Sequence, residues 1–299
     1  MAGLRGIVTV LNTPFTDDDR VDADALAAHV EYALRSGVAG FLVPALASEV
    51  YKLTADERAL VVQTTLDTAR GRVPVIGGAT AASDDERLEA ARRLLELGCD
   101  GILAAIPYTT EAEYIRQVAA LAQLQPPLLM LQDWDAAGYG LPLTLILDLF
   151  ERFDCFRSIK IEVIPAGVKY SQVLDATGGR LHIAGGWAVM QMIEALDRGV
   201  HALMPTGLHP IYTRINRLYA DGQREAASAL FRRLLPVLAF SNQHLDISIH
   251  FFKRLLYRQG IYRTARVREP ILPFDDYHTR ITEELIVYAL DLTREVERA

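Results

Sequence analysis

The chain has 299 residues, 51% of them hydrophobic and 23% charged, enough to bury a large core as one big domain or two. Its net charge of −7 and the lack of any basic stripe work against the electrostatic attraction that supplies most nucleic-acid affinity, so nucleic acid is not an expected partner. No apolar run reaches the roughly 18 residues a membrane helix needs, the N-terminal MAGLRGIVTVLNTPF lacks the features of a signal peptide, and Cys99 and Cys155 are too few for a disulfide framework or a zinc cluster. The expectation is a protein of the reducing cytoplasm, with no membrane partner, no metal and no cofactor.

In chain order, short apolar runs alternate with segments of helical period. The runs are GIVTVLN (6–12), GFLVPA (40–45), VPVIGGA (73–79), GILAAIP (101–107), PLLMLQD (127–133), SIKIE (158–162), LHIAGG (181–186) and HALMPT (201–206). Between them lie helices with start signals: Asp22 and Asp24 ahead of ALAAHVEYAL, and capping boxes at Thr54 to Glu57 and Ser83 to Glu86. Several of these helices stop at a glycine, Gly37, Gly71 or Gly98. The runs are apolar on both faces, as burial inside a parallel sheet requires. Eight strand-then-helix units predict an α/β fold of the (β/α)₈ TIM barrel type over 1–222, with a doubly wound open sheet as the structural alternative. From about Pro210 onward everything reads helical, and 223–299 is expected to form a C-terminal helical extension packed on the barrel.

In such barrels the reacting groups sit at the C-terminal ends of strands and in the loops that follow. That rule selects Asn12, Thr13, Ser48, Glu49, Thr80, Tyr108, Thr109, Gln132, Asp133, Lys160, Glu162, Gly185, Gly186, Trp187, Thr206 and His209. Within FRSIKIEVIP, side-chain alternation puts Lys160 and Glu162 on one face and Ile159 and Ile161 on the other. A lysine facing the barrel interior loses hydration, which favours a neutral, nucleophilic amine able to form a Schiff base with a carbonyl. A plain ion pair with Glu162, or a snorkelling side chain, accounts for the strand pattern equally well. Lysine usage tips the balance: only Lys52, Lys160, Lys169 and Lys253 are lysines among 31 basic residues, and arginine cannot form a Schiff base.

The ordered combination of TPF (13–15), SE with LTADER (48–49 and 53–58), GRVPVIGGA (71–79), PY (107–108) and IK (159–160) resembles the dihydrodipicolinate synthase and N-acetylneuraminate lyase family. The resemblance implies the barrel with its helical extension, a homotetramer built from dimers, and class I aldolase chemistry in which a 2-oxo acid such as pyruvate condenses with Lys160. Departures from the family pattern carry the functional information. The family's Gly-Thr-Thr-Gly-Glu loop reads Ala45-Leu-Ala-Ser-Glu49 here, its general acid/base tyrosine aligns with Leu131, and its carboxylate-binding arginine would fall near Ala136.

The Ser-Glu loop, the Gln-Asp pair and Ile-Lys-Ile-Glu look more like the family's sugar-acid dehydratases. That resemblance implies a dehydratase or aldolase of a 2-keto-3-deoxy sugar acid, with Lys160, Glu162 and Glu49 catalytic. Substrate contacts are then expected at Ser48, Gln132, Asp133, Gly186, Trp187, Tyr108 and Thr206. Structural alternatives stand beside these roles: Glu49 as a loop cap, Asp133 as a loop closer and His209 as a helix cap. Two other readings of the whole chain remain: a synthase condensing pyruvate with aspartate semialdehyde, and a catalytically inactive ligand-binding barrel.

Overall fold

The computed structural model describes residues 4–135 and 137–298, with the backbone alone at 187 and 188. Each apolar run forms a strand: β1 (Gly6–Val10), β2 (Gly40–Val43), β3 (Val75–Gly78), β4 (Gly101–Ala105), β5 (Leu129–Asp135), β6 (Phe156–Val163), β7 (His182–Gly185) and β8 (Ala202–Leu203). All pair in parallel with their sequence neighbours, and β8 closes on β1, so the sheet is a closed barrel rather than an open doubly wound one.

The helices that alternate with these strands are α1 (Ala23–Arg35), α2 (Ala55–Ala69), α3 (Asp84–Glu96), α4 (Glu111–Ala122), α5 (Leu143–Arg152), α6 (Ala166–Thr177), α7 (Met192–Asp197) and α8 (His209–Ala220). Beyond α8 follow α9 (Arg224–Ser241), α10 (Leu245–Arg258) and α11 (Asp276–Arg298), and α8 packs against both α9 and α11. The start signals work as local chemistry predicts: Asp22 accepts from the Ala25 amide, and the Thr54/Glu57 and Ser83/Glu86 boxes each satisfy two free amides at a helix start. Gly37, Gly71 and Gly98 follow their helices with φ of 85°, 68° and 91°, the left-handed turn that glycine makes without steric cost.

Alternation along the strands sorts the core into two parts. Val8, Val10, Leu42, Ile76, Leu103, Met130, Ala184 and Met204 form one apolar cluster inside the barrel. Ile7, Phe41, Val75, Ile102, Leu131, Ile159, Ile161 and Ile183 belong to the larger cluster shared with the surrounding helices. This division decides which side chains at the strand ends look into the barrel. No helix among the described residues is long and apolar enough to cross a membrane.

Candidate active site

Lys160 and Glu162 lie on the inward face of β6, since Ile159 and Ile161 are committed to the outer core. Lys160 pairs across the sheet with Gln132 on β5 and Ala184 on β7. Its Nζ stands 3.1 Å from Glu162 Oε2, and both side chains are 8% exposed. Gln132 donates its Nε2 hydrogen to the same Glu162 oxygen at 2.5 Å. Three inward polar side chains therefore converge at the C-terminal mouth of the barrel, where this fold assembles its reacting groups.

Gly186, just beyond β7, makes room for this group. A Cβ at Gly186 would come within 1.9 Å of Glu162 Oε1 and 2.5 Å of Lys160 Cε. A substrate contact is expected there from sequence, at the opening of the seventh helix. Instead a 3₁₀ turn, Trp187–Gln191, precedes a six-residue α7, and the useful property of Gly186 is its missing side chain. Gly186→Ala is expected to keep the barrel folded but to displace Glu162, cutting kcat/KM by about 10² as a roughly 1 Å misplacement can. Steady-state kinetics and a thermal melt on the same sample check both halves. The Trp187 side chain lies outside the described residues, as does Ala136.

Four expectations from sequence change once the structure is considered. First, Leu131 faces the helices, paired with Ile159, so it cannot occupy the place of a residue acting on a carbonyl at Lys160. The inward position beside Lys160 is Gln132. Second, Asp133 is turned away from the interior. Its Oδ2 sits 2.5 Å from Lys169 Nζ and its Oδ1 accepts from the Leu141 amide at 2.8 Å, so it closes the β5 to α5 loop rather than binding substrate. Burial pushes the Asp133 carboxyl up and the Lys169 ammonium down.

Third, the fully buried Ser48 hydroxyl donates to Leu11 O at 2.5 Å and accepts from the Ala45 amide at 3.0 Å. It ties the ends of β1 and β2 together and has no proton left for a substrate. Fourth, Glu49 is not available as a base. Its carboxylate pairs with Lys253 of α10 and with Lys52 at 3.2 Å, and accepts from the Arg268 amide at 3.0 Å. Lys253 Nζ and Arg268 Cζ also lie over the Phe15 ring, at 4.0 and 4.1 Å from its centroid, so the C-terminal extension clamps the β1 and β2 loops.

Thr206 is half-buried two residues beyond the inward Met204, while Tyr108 is 44% exposed and its ring lies 6.1 Å from that of Tyr114. All four lysines have side chains no more than 15% exposed, and each pairs with a buried carboxylate. Scarcity of lysine thus marks four ion pairs to buried carboxylates, and only position singles out Lys160. No cluster of three or more His, Cys, Asp or Glu side chains able to hold a metal occurs among the described residues.

A buried polar chain that sequence reasoning missed runs behind the site. Tyr262 Oη donates to Asn12 O at 2.6 Å, so its oxygen accepts from His29 Nδ1 at 2.9 Å. His29 Nε2 then accepts from His209 Nε2 at 3.0 Å, and the Thr9 hydroxyl, which donates to Pro205 O at 3.3 Å, stands 3.3 Å from His209 Nδ1. Burial favours the neutral form of both imidazoles. Desolvation holds His29 well below its ordinary value and takes His209 down to about 3. His209 is thus a buried link between elements rather than a simple cap.

The sign of the resulting pH dependence follows from linkage. Below about pH 6.5 the unfolded chain takes up protons at these positions that the folded chain refuses, so stability falls with pH. For His209 alone the loss between pH 7 and pH 5 is about 2 kcal/mol. Urea midpoints at the two pH values, compared with those of His209→Phe, check it: the variant should be less stable at pH 7 and lose less on acidification.

A family model described as the Dihydrodipicolinate synthetase family matches residues 3–288. The L-2-keto-3-deoxyarabonate dehydratase of Azospirillum brasilense is 26% identical, over 95% of this chain and 93% of its own. In structure, the 4-hydroxy-tetrahydrodipicolinate synthase of Methylacidiphilum fumariolicum SolV superposes with a TM-score of 0.88 at 20% identity, covering 99% of both chains. The sialic acid aldolase of Ruminococcus gnavus does so with a TM-score of 0.87 at 16% identity, covering 98% of this chain and 99% of that one.

Proposed function

Because this chain belongs to the dihydrodipicolinate synthetase family, whose members are class I Schiff-base lyases, we propose that it dehydrates a 2-keto-3-deoxy sugar acid. The observation that carries the reading is the inward group of Lys160, Glu162 and Gln132, in which the β5 residue beside Lys160 is a carboxamide. A carboxamide neither gives up nor takes a proton at neutral pH, so among these three the proton work falls to Glu162. Similarity along most of the chain to an enzyme named for a 2-keto-3-deoxy acid supports the same choice.

In this mechanism the Lys160 amine adds to the C2 carbonyl and one water leaves, giving an iminium that acts as an electron sink. Glu162 takes the proton from C3, the electron pair moves into an enamine, and the C4 hydroxyl departs as water with a returned proton. Hydrolysis of the unsaturated iminium takes up one water and frees Lys160, so the net change is the loss of one water. Gln132 orients Glu162 through its 2.5 Å hydrogen bond, and Thr206, Gly186 and Tyr108 are proposed as substrate contacts.

The reading extends to a homotetramer working in the cytoplasm, which sedimentation of the purified protein and fractionation of its source cells test. The reaction itself is tested with a panel of 2-keto-3-deoxy acids of differing length and stereochemistry. A product lighter by one water supports dehydration. Cleavage to pyruvate and an aldehyde would make the protein an aldolase, and turnover of pyruvate with aspartate semialdehyde would overturn the reading in favour of a synthase.

A further inference from the structure

Away from the barrel mouth, a cleft of about 490 Å³ opens between α1, α8 and α11. Arg35 from α1 and Arg214 and Arg217 from α8 line it, together with Tyr32 and Glu297. Among the described residues none of these three arginines forms an ion pair with a carboxylate. Arg72 and Arg224, by contrast, are held by Glu31 and Asp197, both at 2.5 Å. Three guanidinium groups lining one cleft with a single carboxylate, Glu297, repel one another, and a bound anion lowers that repulsion.

The remaining lining fits the same ligand. Tyr32 Oη accepts from Gln259 Nε2 at 3.1 Å, which leaves its own proton available to donate. Burial lifts the Tyr32 phenol to about 12, so that proton stays in place at neutral pH. The Ser36 and Thr213 hydroxyls are spent on the backbone oxygens of Tyr32 and His209, and so do not compete for the ligand. Glu297, the one carboxylate in the lining, excludes anionic groups from its own end and fixes which end of a ligand carries the charge.

We propose that this cleft binds a small organic polyanion of metabolite size, its phosphate or carboxylate groups clasped between Arg35 on one helix and Arg214 and Arg217 on the other. Guanidinium forks match either group through paired hydrogen bonds, and the cleft is too small for a macromolecule. The site is separate from the one around Lys160, so it stands or falls independently of the dehydratase reading.

Isothermal titration of the full chain with inorganic pyrophosphate and with citrate tests the proposal. Saturable binding that weakens as salt rises is expected. Arg214→Ala/Arg217→Ala should weaken it about tenfold or more, while Lys160→Arg should leave it unchanged. Tighter binding of pyrophosphate assigns a phosphorylated ligand, and tighter binding of citrate assigns a polycarboxylate. Should the alanine pair fold poorly, Arg214→Lys/Arg217→Lys keeps the charge, removes the forks and should still weaken binding. Absence of saturable binding for both probes, or equal affinity in the parent and the arginine variants, would overturn the site.

Discussion

Lys160→Arg is expected to leave a folded barrel with no measurable turnover, a loss on the order of 10³-fold or more, as removal of a covalent nucleophile brings elsewhere. Arginine is the informative replacement because it keeps a cation beside Glu162. The buried carboxylate is not orphaned, and loss of activity cannot be traced to a collapsed ion pair. Borohydride reduction in the presence of pyruvate or a 2-keto-3-deoxy acid should attach the substrate skeleton to the peptide carrying Lys160 in the parent and to none in the variant. An adduct on Lys52, Lys169 or Lys253, or no adduct on any lysine with any 2-oxo acid, would defeat the Schiff-base assignment.

The second large effect concerns stability. Lys253→Met should cost about 3–5 kcal/mol, because it removes the main counter-charge from a carboxylate with no exposed surface. Lys52 and the Arg268 amide remain on Glu49 and set the lower end of that range. Pairing the change with Glu49→Gln should recover a large part of the loss, since the double variant buries neither charge alone. A double-mutant cycle by urea denaturation measures the coupling. Additive single losses would mean that the pair does not hold the loops.

The inward placement of Lys160 and Glu162 was legible because a strand has a period of two and Ile159 and Ile161 mark the opposite face. The barrel itself was legible for a related reason: eight doubly apolar runs, each followed by a capped helix, leave few topologies open. At β5 the strand pairing supplies what the resemblance alone did not: Gln132 stands beside Lys160, and Leu131, one residue away, is on the opposite face toward the helices.

Glu49 and Ser48 failed as site residues for another reason. Their partners are Lys253, 204 positions away, and Leu11, 37 positions away, and no local pattern announces such contacts. The same holds for His29 and His209, 180 positions apart, and for Tyr262, which meets the Asn12 carbonyl across 250. The one available signal was chemical: histidine on an otherwise apolar helix face needs a partner.

The scarcity and pairing of lysine have a consequence for a protein that handles reactive carbonyl compounds. Aldehydes and 2-oxo acids condense with exposed ε-amines, and a surface rich in lysine would be slowly derivatised by the very compounds the enzyme processes. Here the exposed cations are guanidinium groups, while Lys52, Lys169 and Lys253 are shut inside ion pairs away from the barrel interior. On the proposed Schiff-base assignment, chemoselectivity is thereby written into residue usage: the lysine offered to a carbonyl is the one at the mouth of the barrel, and the exposed side-chain cations among the described residues are of a kind that forms no imine.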